Sequence, residues 1–173
     1  MRKILNKKFF NRSTVVVAKD LLGKFLVRNI GDKEIAEMII ETEAYDGYKD
    51  EASHASKGRT KRTEVMFGDP GNFYIYLCYG MYWMLNIVTR EHGYPAAVLI
   101  RGIHGANGPG KLTKFLNINN KLNNKHAIKR NGLWFEDRGI KIPDRNIKKT
   151  PRIGVVYAGP IWSAKKWRFI INQ

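Results

Sequence analysis

One cysteine, Cys78, is all the chain contains, so neither an internal disulfide nor a cysteine-clustered metal site can be built from it. Within YIYLCYGMYW it reads as a buried core thiol rather than a nucleophile. The four histidines, His54, His92, His104 and His126, are scattered without an H-x-x-x-H pair, which points to surface or hydrogen-bonding roles rather than metal ligation. No metal and no cofactor is expected. Long apolar runs are also missing, and no stretch reaches the length of a membrane span. The opening MRKILNKKFFNRS is basic but has no apolar core or small-residue cleavage site, so no secretory leader is read there. An intracellular protein is expected, shared between cytoplasm and nucleoid if prokaryotic. Acids are scarce as well: 15 Asp and Glu stand against 31 Lys and Arg, for a net charge of +16.

What is present suits one globular domain spanning 1–173, since 173 residues that are 43% hydrophobic can bury a sizeable core. The charge is uneven. Residues 1–110 carry 16 basic and 12 acidic side chains, whereas residues 111–173 carry 15 and 3. Such a field favours a polyanion, nucleic acid first and an anionic membrane second. The bland alternative is a lysine-rich surface that serves only solubility.

Turn residues and periodicity give a coarse order of elements. Ser13 followed by TVVVAKDLL predicts a capped helix ending at Gly23. KFLVRNI and EIAEMIIETEAY flank Gly31-Asp32-Lys33 as two strands about a tight turn. Residues 46–71 are polar, with room for one or two short helices. NFYIYLCYG and MYWMLNIVT are β-prone runs broken at Gly80, and PAAVLIRGI is a further strand. PGKLTKFLNI looks helical with Pro109 at its start. Residues 119–131 read as an exposed basic loop, and GLWFE, RIGVVYAG and WRFII as short strands. The pattern is that of an α+β domain with a mixed or antiparallel sheet.

Three stretches bear on chemistry. Gly105 to Lys111 matches the G-x-x-x-x-G-K spacing of a phosphate loop, but Leu112 stands where Mg²⁺ needs Ser or Thr, and Pro109 lacks an N–H. Nucleotide hydrolysis is therefore disfavoured, although Lys111 could still meet one backbone phosphate. In FYIYL, strand alternation puts Tyr74 and Tyr76 on one face, and Tyr79, Gly80, Met81 and Tyr82 make a bulky turn. An aromatic core is the plain explanation; base stacking and a wedge into a duplex are the functional one. In IIETEAY, period two sets Glu41, Glu43 and Tyr45 on one face, and Arg101 ends the strand AAVLIR. A carboxylate beside an arginine can activate water, the acid accepting a proton while the cation holds its orientation. Most such pairs are structural salt bridges, so the residues alone reach no further than nucleic-acid binding with a possible hydrolytic step.

VAKDLLGKFLVR, IIETEAYDGYKDEASHASKGRT, MFGDPGNFYIYLCYGMYWMLNIVT, AAVLIRG, NGPGKL and RIGVVYAG occur in that order. Together they resemble the alkyladenine (3-methyladenine) DNA glycosylases of the mammalian type, from about residue 9 to 171. The resemblance implies a single mixed domain with a curved, largely antiparallel sheet and peripheral helices, similar to the C-terminal domain of methionyl-tRNA formyltransferase. It implies a monomeric, monofunctional hydrolase of N-glycosyl bonds that flips alkylated purines out of double-stranded DNA and starts base excision repair, with no metal and no lyase step.

By position, the resemblance makes Glu43 the general base and Arg101 the arginine that helps hold the attacking water. Tyr45, His54 and Tyr76 become the walls and floor around the flipped base, and Asn86 a pocket residue that disfavours the amine of normal guanine. Tyr79 becomes the inserted residue, with Met81 and Tyr82 beside it. Arg59, Lys61, Lys111 and the loop from Lys125 to Arg130 are the expected phosphate contacts. Gly102-Ile103-His104 and Thr63 depart from the family's usual residues, which puts local loop geometry and substrate range in question. Two other classes remain at this level: a binding module without catalysis, against which Glu43 and Arg101 together argue, and an RNA-directed protein.

Overall fold

The computed structural model describes residues 2–172. Its strands are β1 (Lys3–Ile4), β2 (Phe25–Ile30), β3 (Lys33–Asp46), β4 (Phe73–Cys78), β5 (Tyr82–Val88), β6 (Ala96–Ile103), β7 (Ala106–Asn107), β8 (Leu133–Asp137), β9 (Ile147–Thr150) and β10 (Arg168–Ile171). The helices are α1 (Lys7–Phe10), α2 (Thr14–Asp20), α3 (Pro109–Phe115) and α4 (Gly159–Ala164). All pairings are antiparallel, along the path β1-β8-β2-β3-β6-β5-β4, with β7 on β6 and with β10 between β3 and β9.

The long strand β3 does two jobs. Its first half, Lys33 to Met38, pairs with β2; its second half pairs with β6 on one side and β10 on the other. Register shifts between Ile39, Glu41 and Thr42 mark the changeover, and such bulges bend a strand and increase its twist. Beyond the bulge, strict alternation sorts side chains onto two faces. Phe73 and Ile75, Leu85 and Ile87, Val98 and Ile100, and Ala44 enter the main hydrophobic core. Tyr74 and Tyr76, Met84 and Asn86, Ala97, Leu99 and Arg101, and Tyr45 line a cavity on the other face.

Helix α2 covers the core face. Thr14, Val17 and Ala18 are buried, an i, i+3, i+4 stripe, and Thr42 Oγ1 donates to the Ala18 carbonyl at 2.7 Å. The helix stops at Asp20, three residues before Gly23, and Ser13 makes no side-chain cap bond. The segment 119–131 is less loop-like than its composition predicts. It holds two short 3₁₀ turns, buries Leu122 and Ala127, and receives the Ile75 N–H on Asn123 Oδ1 at 2.9 Å. RIGVVYAG is not a strand. Pro151 lacks a donor, Gly154 (φ 74°) and Gly159 (φ 72°) adopt left-handed conformations, and the chain turns through a 3₁₀ segment, Val156–Ala158, into α4. Cys78 is half-buried and lines the cavity rather than the core, because it is the last residue of β4 before the tip.

Candidate active site

The register aligns the site in a row across four strands: Tyr74 pairs with Asn86, Asn86 with Leu99, and Leu99 with Glu43. Glu43, at the end of this row, is fully buried. Its Oε2 accepts from Tyr45 Oη at 2.8 Å and its Oε1 from the Ile153 backbone N–H at 2.9 Å, while Arg101 lies 3.6 Å from Oε2. Arg101 is the extra residue in the register shift, since Thr42 faces Ile100 and Glu41 faces Gly102. The bulge therefore aims its guanidinium between the two acids, with Nε 3.1 Å from Glu41. Arg168, donating to Glu41 at 2.6 Å, completes a set of two acids and two arginines.

Above them opens a cavity of about 450 Å³, the size of a site for one small aromatic ligand. His54, at the start of a 3₁₀ turn, meets Tyr76 edge-on at 4.8 Å between ring centroids, and its Nδ1 is 3.1 Å from Tyr74 Oη. Burial, followed by the nearby charge of Arg62, lowers the His54 pKa to about 4, so the ring is neutral at physiological pH. Burial likewise raises Tyr74 and Tyr76, the latter also through Tyr74. Tyr45 is held well above the ordinary phenol range, first by burial and then by Glu43, so its hydroxyl stays a donor. Asn86 Nδ2 donates to the Tyr74 carbonyl at 3.1 Å.

At the mouth, β4 turns into β5. Met81 N–H donates to the Cys78 carbonyl at 3.1 Å, with Tyr79 at φ 50° and Gly80 at φ 66°. Two left-handed residues match the twist of a hairpin, but a bulky aromatic is an unusual choice for the first. Tyr79 also lines the cavity while 87% exposed, and Met81 and Tyr82 are exposed beside it. The first turn of α3 supports this tip. A Cβ at Gly110 would fall 2.6 Å from the Tyr82 ring, so the glycine permits the close approach.

A sequence model described as methylpurine-DNA glycosylase matches residues 8–106 and 104–173. The chain belongs to the methylpurine-DNA glycosylase family. Membership places it among the hydrolases that act on N-glycosyl bonds in DNA. Three similar proteins carry the provisional name 3-methyladenine DNA glycosylase. That of Methanocella arvoryzae is 45% identical, over 96% of this chain and 91% of its own. That of Rickettsia felis is 43% identical over 98% and 94%, and that of Legionella pneumophila strain Paris 44% over 100% and 96%.

Arg101, Tyr45, His54, Tyr76 and Asn86, each singled out in the sequence, line this one cavity; Glu43 does not line it but sits behind Tyr45, 3.6 Å from Arg101. Of the expected phosphate contacts, Arg59 is exposed but bonded to Glu64 at 3.3 Å and stacked on Phe67. Lys61 is exposed near the pocket loop, and Lys111 is exposed two residues after Pro109, which lines the mouth. The loop from Lys125 to Arg130 lies elsewhere. Phe73 N–H donates to the Lys125 carbonyl, which anchors the loop at the opposite end of β4 from Tyr79, about 20 Å away along the strand. Neither Thr63 nor Gly102-Ile103-His104 lines the cavity. Thr63 ties the 58–63 loop through Thr60 and the Gly58 carbonyl, Ile103 is core, and His104 is exposed.

The sequence reading missed Asp50 and Arg152. Both are fully buried and joined in a bidentate pair of 2.6 and 2.8 Å. Arg152 also donates to the Ala44 carbonyl and stacks on Tyr45, while Asp50 accepts from the Asp46 and Ala52 N–H groups. The pair pins the 152–157 segment, and with it the Ile153 N–H, against Glu43. Two ions more than a hundred positions apart leave no local signature. The only signal was an arginine beginning an apolar block.

Proposed function

We infer that the whole chain, 1–173, is one monomeric, monofunctional DNA glycosylase domain that excises alkylated purines such as 3-methyladenine from double-stranded DNA. A base in a duplex is out of reach, so the nucleotide must rotate out and its vacancy be filled. The observation that carries this reading is Tyr79. It is an aromatic side chain held at positive φ, almost wholly exposed, at a tyrosine-lined cavity whose lining residues Tyr45 and Ile153 hold a buried carboxylate, Glu43. A fold gains nothing from such a residue by itself; a gap in a base stack would take it. Met81 and Tyr82 flank the wedge. Arg59, Lys61 and Lys111 are the phosphate contacts, which set affinity and its salt dependence rather than lesion choice.

The purine enters between Tyr45 on one side and Tyr76 with His54 on the other, and Asn86 opposes an exocyclic amine at its edge. N3- or N7-alkylation makes the base cationic, which weakens its bond to the sugar and draws it to tyrosine faces. Water then adds to C1′. The C1′–N bond breaks with its electron pair moving to the purine, which departs neutral, and the proton of the water passes to Glu43. Each Glu43 oxygen has one strong donor and retains a lone pair for that water. Arg101, which lines the cavity, holds the water and the carboxylate in line.

Glu43→Gln tests the reading. It keeps the size of the side chain and removes its basicity. Release of free base from alkylated duplex should fall by about 10²–10⁴, while abasic-site DNA binding stays within a few-fold. A parallel loss of binding would make Glu43 structural, and preferential binding of duplex RNA would favour an RNA-directed protein.

A further inference from the structure

Arg62 has no place in the chemistry above, yet it lines the cavity with its guanidinium carbon 4.8 Å from the centroid of the Tyr76 ring. The other arginine that lines the cavity, Arg101, is matched by Glu41 and Glu43, and Arg59 by Glu64. Among the described residues no carboxylate pairs with Arg62. Its field reaches the pocket groups: it adds to the burial that lowers His54, and it opposes the burial that raises Tyr74 and Tyr76. The side chain itself is exposed at the rim, so it costs little to move.

A tyrosine face that already holds a cation attracts a second one less, because both draw on the same ring quadrupole. A neutral purine poses the opposite problem. Its C1′–N bond breaks with the electron pair moving onto the base, which leaves as an anion that a nearby positive charge stabilises until it takes a proton from solvent. We propose that Arg62 sets the charge preference of the purine pocket, competing with cationic alkylated purines for the Tyr76 face and stabilising the departure of neutral ones. The assignment rests on the base-excision reading above. It involves no proton transfer from Arg62: water still adds to C1′, Glu43 still takes its proton, and the guanidinium acts only through its charge. With His54 neutral beside it, Arg62 is, among the described residues, the one cation lining the pocket that has no carboxylate partner.

Single-turnover release of 7-methylguanine (cationic) and hypoxanthine (neutral) from duplexes of one sequence provides the test, with wild type, Arg62→Lys and Arg62→Gln. The cationic-to-neutral rate ratio should rise about two- to fivefold in Arg62→Gln, the range of one exposed cation–π contact, and by less in Arg62→Lys. Equal changes for both bases would make Arg62 a phosphate contact and overturn the assignment, as would a fall in the ratio. The same comparison, read as binding of the two duplexes on a Glu43→Gln background, needs no turnover and should shift toward the cationic duplex. If wild type releases neither base, the base-excision reading fails, and the binding comparison still decides the role of Arg62.

Discussion

Behind the lining of the cavity each ion has a partner. Glu43 accepts from Tyr45 and Ile153, Glu41 meets Arg101 and Arg168, and Asp50 is clamped by Arg152. At the mouth the reverse holds. Tyr79, Met81 and Tyr82 offer apolar surface to solvent, and Tyr79 does so from a left-handed backbone that disfavours it. Buried charges cost several kcal/mol each unless paired, so the base of the site must be satisfied within the protein. The tip has no such requirement, and its strain is recovered only where another molecule covers it. The contrast separates what the fold needs from what the substrate needs.

Removing one ion from the base should give the largest stability effect. Asp50→Ala leaves Arg152 charged and buried, and unfolding measurements should show a loss of about 3–5 kcal/mol. Activity should decline with it even where the variant is still folded, because the Ile153 N–H is no longer held against Glu43. A loss below 1 kcal/mol would mean that the 152–157 segment is held by its apolar contacts alone.

The tip should respond with opposite sign in two assays. Asn tolerates the left-handed region better than an aromatic residue, so Tyr79→Asn should leave stability unchanged or raise it by up to about 1 kcal/mol. Affinity for lesion-containing duplex should fall by about 1–3 kcal/mol, the worth of one stacked aromatic. If stability and affinity fell together, Tyr79 would be part of the core of the hairpin and the contrast between base and mouth would collapse.

His54 should give the smallest effect. Its folded pKa of about 4 lies below the value near 6.5 of an unfolded chain, so between these pH values the unfolded state binds more protons. Stability contributed by the neutral ring is therefore complete above about pH 6.5 and lost as pH falls toward 4. One proton sets an upper limit of about 1.4 kcal/mol per pH unit, reduced by the solvent around a partly exposed ring. Thermal melts between pH 7 and 5 should decline less steeply in His54→Gln than in wild type. Identical slopes would place His54 in solvent rather than against Tyr74.

Alternation alone made β3 to β6 readable strand by strand, since a period of two puts Glu43 with Tyr45 and Tyr74 with Tyr76, whereas only the pairing of β3, β6, β5 and β4 brings the two sets to one side of the sheet. The Pro109 helix start and the Gly80 break were legible for a similar reason: proline and glycine restrict or free the backbone at their own positions. RIGVVYAG misled because its apolar residues imitate a strand, whereas Ile153, Val156 and Tyr157 are exposed on a turning segment. The 119–131 loop misled because asparagines and lysines hid two core anchors, Leu122 and Ala127.

The sequence by itself determined the faces of the strands, the scarcity of acids that makes Glu41 and Glu43 conspicuous, and, through ETEAY, YGMYWMLN and NGPGKL, the family. Only the tertiary structure decided which charges meet. Arg101 reaches Glu43 because a register shift in β6 re-aims it, and Arg152 reaches Asp50 because β9 pairs with β10 and β10 with β3, which carries the residues after Thr150 to the Tyr45 end of β3. Local rules act over one to four residues along the chain. Ion pairing is chosen instead by burial, where an unpaired charge costs more than any local preference, and burial depends on the whole fold.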